Sequence, residues 1–145
     1  MFELKEPIYS TVTTDATIIS LMGITSGDLR MYSLNPPEDV IYSDAVPAAI
    51  TYFLKIGRRP NNYSYPSQEG NAFLFFRILS IDNLIAENIA DRLKVLFDKM
   101  TIESDNYVVK TVMLNDMTPS DSEGSPTKPV FIINVSFRLT NVLAK

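Results

Sequence analysis

From the N-terminus, Leu4, Ile8, Val12 and Ile19 fall close to helical spacing, with Pro7 tolerable in a first turn. The β-branched stretch Thr11–Thr14 weakens that helix, because such side chains lose rotamer freedom in it. Thr14 followed by Asp15 reads as a fresh N-cap, and Gly23 as the matching stop. Two short helices, or one kinked helix, are therefore expected to end near Met22. Asp28–Leu34 follows as a short strand, leading into an extended stretch fixed by Pro36 and Pro37. After Pro47 the alternation is plain: Ile50, Tyr52, Leu54 and Ile56 face one way, and Thr51, Phe53 and Lys55 the other. Period two means a strand with one buried face. Ala72–Ile81 is apolar on both sides, as befits the centre of a sheet.

Asp82–Met100 carries the clearest helical stripe, with Ile85, Ile89, Leu93, Leu96 and Met100 on one side, widened by Ala86, Ala90 and Phe97. Glu87, Asn88, Asp91, Lys94 and Asp98 lie opposite, so the helix should rest on a sheet. Tyr107–Leu114 and Val130–Leu139 read as two more strands. In the second, Phe131, Ile133, Val135, Phe137 and Leu139 alternate with Ile132, Asn134, Ser136 and Arg138. The fold class expected is α+β: a mostly antiparallel four- to five-stranded sheet, an N-terminal helical segment, and one long helix packed on one face. The helices cover one face only. Phe53, part of Ala72–Ile81 and Ile132 on the other face then want a cover that a second subunit would supply.

Two polar, Pro-punctuated segments interrupt this pattern, at 57–70 and 115–129. Both exceed ordinary hairpin connections and read as long loops, or as arms projecting from the sheet edge if their flanking strands pair. With no repeat and no internal linker, residues 1–145 read as a single domain.

Composition then removes most chemistry. The 145 residues include no Cys, no His and no Trp, and the formal net charge is −4. The absent thiolate and imidazole exclude disulfides, Ser-His and Cys-His nucleophile pairs, and the common zinc and iron sites. Glu87 and Asp91 are four apart on a solvated helix face beside Lys94, an ordinary surface arrangement. The run Asp121–Gly124 lacks the further ligands and flanking helices of a calcium loop. No catalytic, cofactor or metal residues are assigned. The acidic start lacks a leader's basic and apolar regions, and no apolar run approaches the roughly 20 residues of a membrane span. Cytoplasmic synthesis and no membrane contact are expected.

What remains points to contact surfaces. Arg58 and Arg59 stand where a strand ends, followed by Tyr63 and Tyr65, and Arg with Tyr is enriched at protein interfaces. They would serve either as grips for a partner carboxylate or phosphate, or as strand-end charges that keep an edge soluble. Arg77 sits mid-strand among Phe73, Phe75 and Leu79, where it either meets a partner subunit or reaches solvent. With Phe53, Asp121 and Glu123, these form the candidate interface set.

The order of pieces resembles the tail terminator (tail completion) proteins of tailed bacteriophages. The resemblance rests on Asp15–Gly23 (DATIISLMG), Leu29–Tyr32 (LRMY), the Pro-rich approach to Ala49–Leu54 (AITYFL), a strand leading into Asn83–Phe97, and the closing strand Val130–Leu139. It covers most of the chain as a pattern of small segments, without a catalytic motif. It implies a non-enzymatic virion subunit, assembled in the host cytoplasm, that forms a homo-oligomeric and usually hexameric ring at the head-proximal end of the tail tube. Its implied partners are the tail tube protein and the head–tail connector or neck protein, with genomic DNA passing through the ring without specific binding. An acidic lumen would repel phosphates and let the DNA slide. Two alternatives stand beside it: a neck or head-completion adaptor of the same particle, and a small enzyme or small-molecule-binding α+β domain.

Overall fold

The computed structural model describes residues 2–23, 30–33, 42–43, 46–56, 68–125 and 128–144. A short 3-10 turn enters α1 (Lys5–Thr13), which is followed by α2 (Ala16–Met22). Of the two arrangements expected here, two short helices or one kinked helix, the chain takes the first. Of the expected pair Thr14–Asp15, it is the Asp15 side chain that accepts from the Ile18 N–H, at 3.0 Å, and restarts the helix. Gly23 stops it in the left-handed region, at φ 71°, which favours glycine.

Strands β1 (Met31–Ser33), β2 (Ala48–Ile56) and β3 (Gln68–Ser80) precede α3 (Asn83–Phe97). Asp82 caps α3, accepting from the Leu84 and Ile85 N–H groups. After the helix come β4 (Ile102–Glu103), β5 (Tyr107–Ser125) and β6 (Lys128–Ala144). All six form one sheet in the order β1-β2-β3-β6-β5-β4, with β1 parallel to β2 and every other pair antiparallel. The fold is thus α+β with a helix crossing over one face. The sheet has six strands rather than four or five, because the two-residue β4 is too short to leave a periodic signal.

The alternating sets land as their spacing demands. Ile50, Tyr52 and Leu54 of β2, Leu74, Phe76 and Ile78 of β3, and Ile133, Val135, Phe137 and Leu139 of β6 face the helices. There they join Leu4, Ile8, Val12, Ile18 and Met22 from the N-terminal helices and Ala86, Ile89, Ala90, Leu93 and Phe97 from α3 in one core. Phe76, Phe97 and Phe137 meet at its centre, with ring centroids 5.3 to 6.1 Å apart.

The segment 115–129, expected as a loop, is largely strand. β5 runs on to Ser125 and pairs with β6 back to Lys128, making a long hairpin. Gln68–Gly70 likewise belongs to β3. Polar side chains and Pro119 hide this from a hydrophobicity reading. The pairing is carried by backbone hydrogen bonds to β6, whose own alternation fixes the register. Two bulges absorb the mismatch, one between Leu114 and Asp116 and one between Ser120 and Glu123. The other expected loop, over residues 57–67, lies outside the described residues.

Candidate interaction surface

With all three helices on one side, β2, β3, β6 and β5 present a second face. Its side chains line up in rows across the strands, set by the pairing register. One row is Phe53, Phe75, Ser136 and Asp116; its neighbours are Thr51, Arg77, Asn134 and Thr118, and Lys55, Phe73, Arg138 and Met113. The Phe53 and Phe75 rings stack with centroids 4.6 Å apart and an interplanar angle of 14°. Phe75 also meets Phe73 at 6.2 Å. Cross-strand aromatic pairs of this kind stabilise a sheet locally. Even so, Phe53 remains 38% exposed.

Polar groups border the aromatics. Arg77 is exposed, and its Nε donates to Asn134 Oδ1 at 3.4 Å. The first bulge sets two β5 residues, Asn115 and Asp116, against the single Ser136, and Asn115 Nδ2 donates to Ser136 Oγ at 3.2 Å. Together Thr51, Phe53, Phe75, Arg77, Asp116, Asn134 and Ser136 line a hollow of about 440 Å³. Across the described part of this face the cations Lys55, Arg77 and Arg138 outnumber the acid Asp116, against the negative balance of the whole chain.

The expected interface set divides on this geometry. Phe53 and Arg77 lie on the open face in adjacent rows, and Arg77 reaches solvent rather than being buried. Ile132, expected to want an outside cover, is only 4% exposed; with Ala49 and Leu79 it forms a row buried within the chain itself. Asp121 and Glu123 belong to the far half of β5, and their side chains lie outside the described set. Arg58, Arg59, Tyr63 and Tyr65 also lie outside the described residues.

Sequence reasoning passed over Arg138, Asp116 and Met113. The first was legible, since it alternates with the buried residues of β6. Asp116 was not, because the bulge shifts its phase. On the opposite side of the molecule, Leu84 and Val95 of α3 are 62% and 68% exposed, among Glu87 and Asp91.

One charged contact ties the helices together. Arg92 of α3 grips Asp15 with two hydrogen bonds, Nε to Oδ2 at 3.0 Å and Nη2 to Oδ1 at 2.7 Å. That guanidinium, helped by the Ile18 N–H, holds the Asp15 carboxyl below its ordinary value. Glu3 is lowered by Asn106 and Ser104, which donate to it and anchor the N-terminus beside β4 and β5. Burial raises the Tyr52 hydroxyl. Among the described residues, no group of three acidic, His or Cys side chains is placed to hold a metal ion, and no helix is long and apolar enough to cross a membrane.

The sequence matches no protein-family model and no curated protein. Solved structures do share its fold. A chain from the virion of a native gene transfer agent (GTA) particle aligns over 98% of this chain and 95% of its own, with a TM-score of 0.61 and 13% identity. A second solved chain aligns over 97% of this chain and 95% of its own, with a TM-score of 0.54 and 10% identity. At such identities the likeness is one of fold.

Proposed function

We propose that this chain is a non-enzymatic structural protein of a virion, and within it a tail terminator. The observation that carries the reading is the fold, shared over nearly the full length of both chains with a subunit of a gene transfer agent virion. The agreement between that fold and the family resemblance of the sequence supports it further. In this reading the subunit closes into a ring, six-membered by the resemblance, on the head-proximal end of the tail tube. One ring face matches the last tube ring; the other lacks the polymerising surface, so growth stops and the neck docks instead. Phe53 and Arg77 on the open sheet face, Arg58, Arg59, Tyr63 and Tyr65, and Asp121 and Glu123 on the β5–β6 hairpin are the residues assigned to contacts with neighbouring copies, tube and neck. DNA passes through the ring without specific recognition.

The test is the solution mass across concentration, by light scattering or native mass spectrometry, alone and with tube ends. The expected result is a species near six times the 16.3 kDa chain mass, and capping of tube growth in a polymerisation assay. Capture by connector protein but not by tube protein would move the assignment to a neck adaptor. A chain that remains monomeric beside tube ends refutes the ring.

A further inference from the structure

The two broad sides of the molecule are complementary. Among the described residues, the open sheet face carries Lys55, Arg77 and Arg138 against the single acid Asp116, with Phe53 and Met113 exposed between them. On the far side, the stripe of α3 turned away from the core runs Leu84, Glu87, Asp91, Val95, with Lys94 at its margin. Among the described residues, then, cations predominate on the sheet face, while the acids Glu87 and Asp91 stand beside Lys94 on the outer face of α3. Each also exposes large apolar groups: of the six such side chains exposed among the described residues, Phe53 and Met113 lie on the first surface and Leu84 and Val95 on the second. Neither surface can cover the other within one chain, because the sheet and core lie between them.

We infer that the open sheet face of one copy docks on the outer face of α3 of the next, Arg77 and Arg138 meeting Glu87 and Asp91 around a contact of Phe53 and Met113 with Leu84 and Val95. The occupant follows from the charge pattern: a second copy brings the acids Glu87 and Asp91 to the cations Arg77 and Arg138. Such a contact is heterologous, so every copy uses one surface of each kind, and rotation between copies decides whether the assembly closes. This deepens the ring reading above and rests on it, since it names the surfaces by which neighbouring subunits meet.

Charge reversal tests it. The residues are exposed and outside the core, so R77E/R138E and E87K/D91K should fold with unchanged circular dichroism and thermal midpoints. Each variant alone is expected to lose the assembled species, with at least a tenfold weaker association. A one-to-one mixture of the two should recover it, because the reversed sheet face of one matches the reversed helix of the other. The quadruple variant R77E/R138E/E87K/D91K should likewise assemble on its own. A wild-type ring that persists in both double variants overturns this docking while leaving the ring standing. A wild-type chain that is monomeric even with tube ends overturns the ring, and the docking with it. Retention of single-stranded DNA by the wild type, lost in R77E/R138E with no change in mass, overturns the docking in favour of a nucleic-acid surface.

Discussion

Asp15 does two jobs with one carboxylate, and the two can be separated. It caps α2 through the Ile18 N–H and receives the bidentate grip of Arg92 from α3. Asn caps about as well as Asp, so D15N removes mainly the charge pair, which solvent screens, and should cost less than loss of the cap. D15A also removes the cap, adding about 1–2 kcal/mol. Urea denaturation of the three proteins at neutral pH measures both steps. The folded carboxyl is held below its unfolded value, so its contribution is fully present above the unfolded value and is lost as pH falls through the lowered one. The gap between wild type and D15N should therefore shrink below about pH 4, and a gap that widens there would contradict the pairing. Phe76 and Phe53 make a second contrast, one ring 1% and the other 38% exposed on opposite faces of adjoining strands. F76A opens the core and should cost about 3–5 kcal/mol, whereas F53A loses little more than a ring stack, about 1 kcal/mol. Thermal melts of the two variants read that difference directly.

At the scale of elements, what was legible follows from what periodicity can carry. β2 and β6 were readable residue by residue, because each has a dry face and a wetter one. α3 was readable from its stripe; its cap, Asp82, shows only in the structure. The far half of β5 was not. From Asn115 to Pro119 its side chains are exposed, so no alternation records the pairing that the backbone makes with β6. β4 is only two residues long, and its partner segment Val108–Val109 gives it no signature. The candidate surface was legible in half: alternation alone sets Phe53, Arg77 and Arg138 opposite the core, but the rows they form depend on register between distant strands. The hairpin invites a test at its own scale. Deleting Asn115 removes the bulge that sets Asn115 and Asp116 opposite Ser136, together with the Asn115–Ser136 hydrogen bond. Asp116 and Thr118 keep their β6 partners and faces, but the arm loses the local bend and twist that the extra residue gives it. Amide exchange in β5 beyond Leu114 should then speed up well before exchange in α3 or β2 changes; equal effects everywhere would mean that the bulge fixes the whole sheet rather than the arm.

At the scale of the whole molecule, salt separates the forces proposed to join neighbouring copies. A contact made mainly by Arg77 and Arg138 with Glu87 and Asp91 across a partly wet boundary should weaken as ionic strength rises. The screening length falls from about 10 Å at 0.1 M to about 3 Å at 1 M. A contact made mainly by Phe53, Met113, Leu84 and Val95 gains nothing from low salt, and strengthens with sulfate, which is excluded from protein surface. The expected behaviour is mixed: the assembled fraction falls between 0.05 and 0.5 M sodium chloride, while sulfate at matched ionic strength reduces it less. The charge-reversed pair distinguishes screening from a general loosening of the fold. The quadruple variant keeps opposite charges in contact with their signs exchanged, so its salt dependence should match that of the wild type. In either double variant alone, like charges face each other, and added salt should increase association. A rise for the double variants beside a fall for the wild type can come only from charges that meet across the same boundary. Parallel responses in all four proteins would place the contact elsewhere on the chain.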